Sequence, residues 1–272
     1  MKNGEGRREA ATQVGPVHWT GRTRRDIVCR MPVAILHEDD DLLVVDKPAG
    51  VVVHPSYKNA DGTLLDELLA RAGGWRADQR PSIVGRLDKF TSGIVLVAKH
   101  ARAHADLQRA TASPGAEKIY LALVRGVPPE SGEIDLPLAH DPDDRRRRMV
   151  CATGARSVTR YQRLASGVGT FGNGSLVRCR LHTGRRHQIR VHFASQGWPI
   201  LGDAIYGEAI DGVARHALHA WRLAFAHPSR RERVAFEAPP PQDFCNLLYS
   251  CLAETSSGMS ASALFQIAKN RS

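Results

Sequence analysis

Aromatic residues are scarce in this chain: seven Phe, five Tyr and four Trp make up 6% of its 272 residues. A core built mainly on stacked rings is therefore excluded, and each tyrosine has to be placed on its own merits. No run of about 18 apolar residues occurs and no Lys-rich amphipathic helix stands out, so neither a membrane span nor a membrane-surface helix is expected. The five cysteines, at 29, 151, 179, 245 and 251, are odd in number and form no Cys-x-x-Cys pair, which excludes a disulfide framework and a zinc ribbon. Residues Met1 to Arg30 hold no hydrophobic segment of secretory type, so the expected compartment is the reducing cytoplasm.

Acidic residues are also in short supply, 28 against 38 Lys and Arg, giving a formal net charge of +10 and a pI near 9.8. Such an excess of positive charge points to a polyanion, since neutralising phosphates releases their counterions whatever the sequence. A nucleic acid is the leading partner. No helix-turn-helix or zinc pattern speaks for a DNA-binding module. The hydrophobic share of 42% is that of a globular chain, so disorder is not the default.

Residues 1–32 are poor in apolar side chains and end at Pro32, which predicts a basic, loosely held arm before a folded body over 33–250 and a Ser- and Ala-rich tail over 251–272. Within the body, apolar runs predict strands at Val33 to Leu36, Leu42 to Val45 and Val51 to Val53, a meander with its corner at Lys47-Pro48-Ala49-Gly50. Further strands are expected at Ser82 to Val84, Ile94 to Val97, Lys118 to Val124, Arg156 to Leu164, Ser175 to His182, Leu218 to Ala226 and Val234 to Glu237. Leucines at 64, 65, 68 and 69 share one helical face and predict a helix over Thr63 to Arg71, ended by Gly73-Gly74. Helices are also expected at Ala103 to Ala110 and Arg185 to Gln196. Strands in runs, not alternating with helices, predict an α+β fold with a mixed, mainly antiparallel sheet and flanking helices.

The most informative segment is Gly85-Arg86-Leu87-Asp88-Lys89-Phe90-Thr91-Ser92-Gly93. It sets a carboxylate, Asp88, two residues after an arginine, where one short apolar run ends and another begins. Loops at sheet ends often carry function. Read alone, Asp88 could equally close a turn or pair with Arg86 at the surface.

With the rest of the chain, this segment resembles the RluA-type pseudouridine synthase family over roughly Ile35 to Leu247. The matches are Asp46-Lys47-Pro48-Ala49-Gly50 with His54-Pro55, Arg-Leu-Asp-x-x-Thr-Ser-Gly at 86–93, and Lys118-x-Tyr120 followed by Ala122-Leu123-Val124. Gly184-Arg185-x-His187-Gln188-Ile189-Arg190-x-His192, Gly202-Asp203-x-x-Tyr206-Gly207 and His219-Ala220 complete the pattern. One departure is Gly85, where the family commonly has His.

The resemblance implies a pseudouridine synthase fold with a central RNA-binding cleft, and a reaction that moves uracil from an N1 to a C5 link on the same ribose. That isomerisation is redox-neutral and releases nothing, so no cofactor and no metal are expected. Asp88 is then the essential acid, attacking sugar C1′ or uracil C6 or acting as a base on the sugar, and Arg190 is the cation that keeps it ionised. Tyr120 is expected to stack on the uracil and to help remove the C5 proton, although its alternating strand would also suit a core tyrosine. A uridine inside a stem or loop must be flipped out, at a cost of roughly a few kcal/mol, and Arg86 is expected to fill the gap. Thr91, Lys118, Arg185, His187 and Gln188 complete the expected RNA-binding set, with Arg185 and His187 expected as positioning contacts to phosphate or to the catalytic loop, and part of Arg145 to Arg148 is expected beside the cleft. Histidines 182, 187 and 192 are five apart, not the four that would set two ligands on one helical face, so a zinc site is not expected.

The implied partner is structured RNA, ribosomal or transfer, read by a monomer. The arm is too short for the small extra RNA-binding domain that the family often carries, so the catalytic body alone is expected. The alternative reading is a catalytically lapsed RNA-binding or remodelling protein of the same fold, favoured only by Gly85.

Overall fold

The computed structural model describes residues 33–57 and 59–252. The expected N-terminal arm lies outside the described residues, as does the expected tail 251–272 except for Cys251 and Leu252, which are buried, Cys251 within a helix.

Two strands, β1 (Ala34–Glu38) and β2 (Leu42–Lys47), form a hairpin around Asp39, whose Oδ1 accepts the N–H groups of Asp41 and Leu42. The helix α1 (Leu64–Arg71) starts at a capping box, Thr63 with Asp66, and buries Leu64 and Leu68. Strand β3 (Ser82–Val84) leads into the Gly85 loop, and β4 (Ser92–Ala98) leads out of it. Every residue of β4 is buried, because both faces are covered. Ile94 and Leu96 pack under α2 (Ala101–Ala112), and Val95 and Val97 pack with α1.

The second half begins with β5 (Glu117–Arg125), β6 (Ser131–Asp135) and the small hairpin β7 (Leu138–His140) and β8 (Arg148–Val150). The long pair β9 (Val158–Gly169) and β10 (Gly172–Leu181) follows, then α3 (Gln188–Ser195), β11 (Leu218–Ala226), β12 (Arg233–Glu237) and α4 (Gln242–Cys251). In β10, Val177, Cys179 and Leu181 are buried while Arg178, Arg180 and His182 face outward, the alternation expected from sequence. The third core cluster joins β5, β9 and β10 to α3 and α4 through Leu121, Phe193, Phe244 and their neighbours.

The main sheet runs β1-β2-β4-β11-β5-β10-β9-β6, with β3 on β4 and β12 on β11. Among the described strands only β4 and β11 pair in parallel, through Ser92 and Gly93 against His219 and Ala220. A Cβ at Gly93 would lie 2.2 Å from the Ala220 carbonyl oxygen, and the residue has φ +110°, so only glycine permits this junction. The junction matters because the Gly85 loop ends there. The architecture is the mixed, mainly antiparallel α+β sheet expected from sequence.

Three expectations change. Val51 to Val53 is not a strand, although Val51 and Val53 are buried. Its carbonyls are claimed instead by Lys47 Nζ, at Val51, and by the N–H groups of Leu64 and Leu65, at Val52 and Val53, so none is left for a ladder. The helix expected from Arg185 begins at Gln188, because His187 takes a left-handed φ of 58°. Finally, β6, β7, β8 and α4 had no counterpart in the sequence expectations.

Candidate active site

Asp88 stands in the loop between β3 and β4, and α3 brings Arg190 to it from 102 positions away. Arg190 Nη1 donates to Asp88 Oδ2 at 2.9 Å. The rest of the guanidinium is held from behind: Nε donates to Asp203 Oδ2 at 2.7 Å and Nη2 to Asp203 Oδ1 at 2.8 Å, a bidentate pair. Arg190 and Asp203 are 4% and 1% exposed. Burial alone would lower the Arg190 pKa, but the two carboxylates outweigh it and raise it. At Asp203 burial pushes upward, and Arg190 overcomes it to hold the carboxyl below its ordinary value. Asp203 Oδ1 also accepts the N–H groups of Ile205 and Tyr206, which closes the 203–207 turn.

That turn places Tyr206 against His187. The Tyr206 hydroxyl oxygen lies 2.7 Å from His187 Nδ1 and accepts the Arg148 N–H at 2.7 Å, while Arg186 Nε donates to His187 Nε2 at 3.3 Å. The latter contact makes Nε2 an acceptor and Nδ1 the N–H bearer, so His187 does not donate to Asp88 Oδ1, 3.6 Å away. Asp88 therefore spends Oδ2 on Arg190 and keeps Oδ1 without a hydrogen bond among the described residues. The Arg190 guanidinium also lies over the Tyr206 ring, 5.1 Å from its centroid.

The loop is fastened on its far side by two buried cations. Lys47 is fully buried, and its Nζ donates to the carbonyls of Pro48, Val51 and Lys89 at 2.8, 3.0 and 3.1 Å. Burial lowers its pKa to about 7, yet three acceptors call for three N–H groups, so the ammonium is the form that fits. Arg215 Nη1 reaches the Phe90 carbonyl at 3.1 Å while its other edge pairs with Asp243. Carbonyls 89 and 90 are thus both pinned immediately after Asp88.

A slot opens between these groups, bordered by Asp88, Arg190, Tyr120, Leu181, Leu218 and Ile189. Tyr120, from β5, is half-buried, and its hydroxyl takes no hydrogen bond from the described residues. Burial, and next the charge of Asp88, raise its pKa. A wider, open cleft runs past the slot along Val52 to Ser56, Gly85 to Phe90, Gly184 to His187 and Arg146.

Asp88, Tyr120 and Arg190 thus come together. Arg86 is exposed in the cleft and makes no ion pair with Asp88, and Arg185 is exposed at the rim with Nε 3.4 Å from the Arg156 carbonyl. Lys118 lies behind Tyr120 and is taken up below. Three of the expected RNA contacts are engaged within the protein. Gln188, 2% exposed, uses its amide on Thr183, Arg185 N, Val158 and Thr159, tying the 183–185 turn to β9. Thr91 is buried with its hydroxyl on His216 Nε2 at 2.9 Å, and His187 faces Tyr206 and Asp88. All three also border the slot, and His187 borders the cleft. Of the arginine run, Arg146 lines the cleft and Arg147 lies over the Tyr206 ring, 5.6 Å from its centroid. Asp203, Tyr206 and Lys47 stand within the matched motifs, but their roles are not legible in sequence, since their work is done on buried partners.

Among the described residues, the one cluster of metal-ligand types is Asp39, Asp41 and His227. It is spent on the fold: Asp39 Oδ2 is met by His37, His227 and Arg230, and Asp41 by His100 and Ser229. No helix among the described residues is long and apolar enough to cross a membrane.

Burial, the first cause at each, pushes the pKa of His187 and His219 down to about 4 and of His216 to about 3. An unfolded chain protonates these rings from about pH 6.5 downward, so it binds more protons than the folded chain between 6.5 and 4, and stability falls as pH falls. Denaturant melts at pH 7.5 and 4.5 are expected to differ by roughly 2–3 kcal/mol per ring. A flat profile would mean that the rings are charged in the folded protein.

The RNA pseudouridylate synthase family model matches residues 41–195. The ribosomal large subunit pseudouridine synthase D of Nitrosomonas europaea is 41% identical over 227 residues, covering 80% of this chain and 65% of that protein. Its counterpart in Zymomonas mobilis is 41% identical over 237 residues, covering 82% and 73%. The chain therefore spans just under two thirds of the first relative's length. Among solved structures, human RNA pseudouridylate synthase domain containing 1 superposes with a TM-score of 0.67 at 28% identity, covering 87% of this chain and 94% of that one. The sheet, the family match across more than half of the chain and the relatives agree: this chain belongs to the RNA pseudouridylate synthase family.

Proposed function

We propose that the chain converts specific uridines of RNA to pseudouridine, with Asp88 as the essential carboxylate and ribosomal RNA as the substrate. The observation that carries this reading is the unshared Asp88 Oδ1 at the edge of the slot that Tyr120 also borders, while Oδ2 is tied to a buried arginine. A carboxylate with one oxygen anchored is aimed, and the other can attack sugar C1′ or uracil C6, or take a proton from the sugar. In the C1′ route Oδ1 bonds C1′ as the N1–C1′ bond breaks with its electron pair on uracil; the ring turns in the slot, C5 bonds C1′ and displaces the carboxylate, and the C5 proton is then lost while N1 gains one, so that the net change is an isomerisation. Arg86, exposed and unpaired beside the slot, inserts where the base has left. The names of the relatives, ribosomal large subunit synthases, support the choice of ribosomal RNA.

Tyr120 supplies a ring face to the uracil and a hydroxyl to the C5 proton step. Its raised pKa keeps the phenol protonated in the resting site. Tyr120→Phe is expected to leave RNA binding within about twofold while turnover drops roughly 100-fold or more. Full turnover would confine the residue to stacking.

The decisive experiment incubates the protein with total RNA from a strain lacking its gene and maps pseudouridine. Restored sites in large-subunit ribosomal RNA are expected. If none returns, the lapsed binder that Gly85 alone favours becomes the better reading.

A further inference from the structure

A second cavity lies beside the catalytic slot, between the last turn of α2 and the starts of β5 and β11, and the reaction does not use it. Arg86, Leu87, Tyr120 and Leu181 line both spaces, so a single layer of side chains divides them. Its mouth lies at Gly85 and Gly184, which also border the open cleft, and a Cβ at Gly85 would meet nothing within 4 Å. The inner wall is apolar, with Ile94, Leu96 and Leu223. Two cations line it without a counter-charge among the described residues: Arg86, exposed at the divide, and Lys118, half-buried, which makes no hydrogen bond or ion pair with the described residues and whose pKa desolvation alone lowers.

A slot with one apolar wall and an unmatched ammonium suits a ligand that has a flat apolar face and also acceptor or anionic atoms. A nucleotide has both, and a nucleotide one step along the strand from a uridine held against Tyr120 has only the Tyr120 layer to pass. Small molecules would need separate delivery, whereas this occupant arrives tethered. We infer that the cavity receives the nucleotide flanking the target uridine, its base against the Leu96 and Leu223 wall and its acceptor oxygens on Lys118, so that Lys118 is a specificity-determining residue. The inference rests on the proposed function of the Asp88 site and adds to it a second base-reading pocket.

Calorimetric titration of the full chain with UpUpU, and with the same trinucleotide carrying an abasic ribose at the first or at the third position, tests this. Loss of the base on one side is expected to weaken binding at least about fivefold, and loss on the other side less than twofold, since stacking one base is worth about 1–3 kcal/mol. Ala112→Trp, at the exposed rim of the cavity, and Lys118→Gln are each expected to abolish that asymmetry, with folding checked by circular dichroism. Equal affinity for all three ligands, no binding of any, or an asymmetry that survives in both variants would overturn the inference. Its failure is distinct from that of the proposed function, which is read separately as pseudouridine formed in total RNA.

Discussion

Asp88→Asn is expected to remove uridine isomerisation by roughly 10⁴-fold or more while leaving the protein folded. The amide matches the carboxylate in shape but has lost the charge and the nucleophilic or basic oxygen. The fold survives because Arg190 does not depend on Asp88 alone: both hydrogen bonds to Asp203 remain, and the Asn carbonyl can still accept from Nη1. The loss in stability should stay near 1–2 kcal/mol, the scale of one charge-assisted bond weakened at a site that is 22% exposed. Single-turnover rates on a modified transcript and a thermal melt check both halves. A rate within tenfold of the parent would remove Asp88 from the chemistry, and a collapsed melt would mean that the residue serves the fold first.

This separation of chemistry from scaffold also explains what the sequence revealed. The strand runs made the mainly antiparallel sheet legible, since alternation in β10 and the continuous apolar run of β4 follow directly from which faces are covered. The meeting of Asp88, Tyr120 and Arg190 was legible only through motif order, because nothing local in Arg190 says that a loop 102 residues earlier lies against it. Gln188, Thr91 and His187 look like surface polar residues in a basic protein, yet each is occupied by partners that only the fold supplies. Val51 to Val53 failed as a strand for a similar reason: a buried ammonium and a helix start compete for its carbonyls, and periodicity does not record who claims a carbonyl. In α4, by contrast, the signal was present, with Phe244, Leu247, Leu248 and Cys251 at helical spacing.

Asp203→Ala is expected to be the most destabilising single change near the site, by about 3–5 kcal/mol, because it strands a buried guanidinium that loses two of its three hydrogen bonds. For a folded unit of this size that corresponds to a fall in Tm of roughly 6–20 °C. Activity should fall with it even at temperatures where the protein is folded, since Arg190 would then be oriented by Asp88 alone and the 203–207 turn would lose the acceptor for two backbone N–H groups. A double replacement distinguishes the two effects. Arg190→Met with Asp203→Leu removes both charges together and fills their space with apolar atoms, and such exchanges are often neutral or stabilising. The double variant is therefore expected to melt above Asp203→Ala and still to make no pseudouridine, because Asp88 would have lost its anchor. If the double variant turned over uridine at the parental rate, the buried pair would serve folding only, and the aim of the Asp88 carboxylate would have to come from the Lys47 and Arg215 contacts at carbonyls 89 and 90.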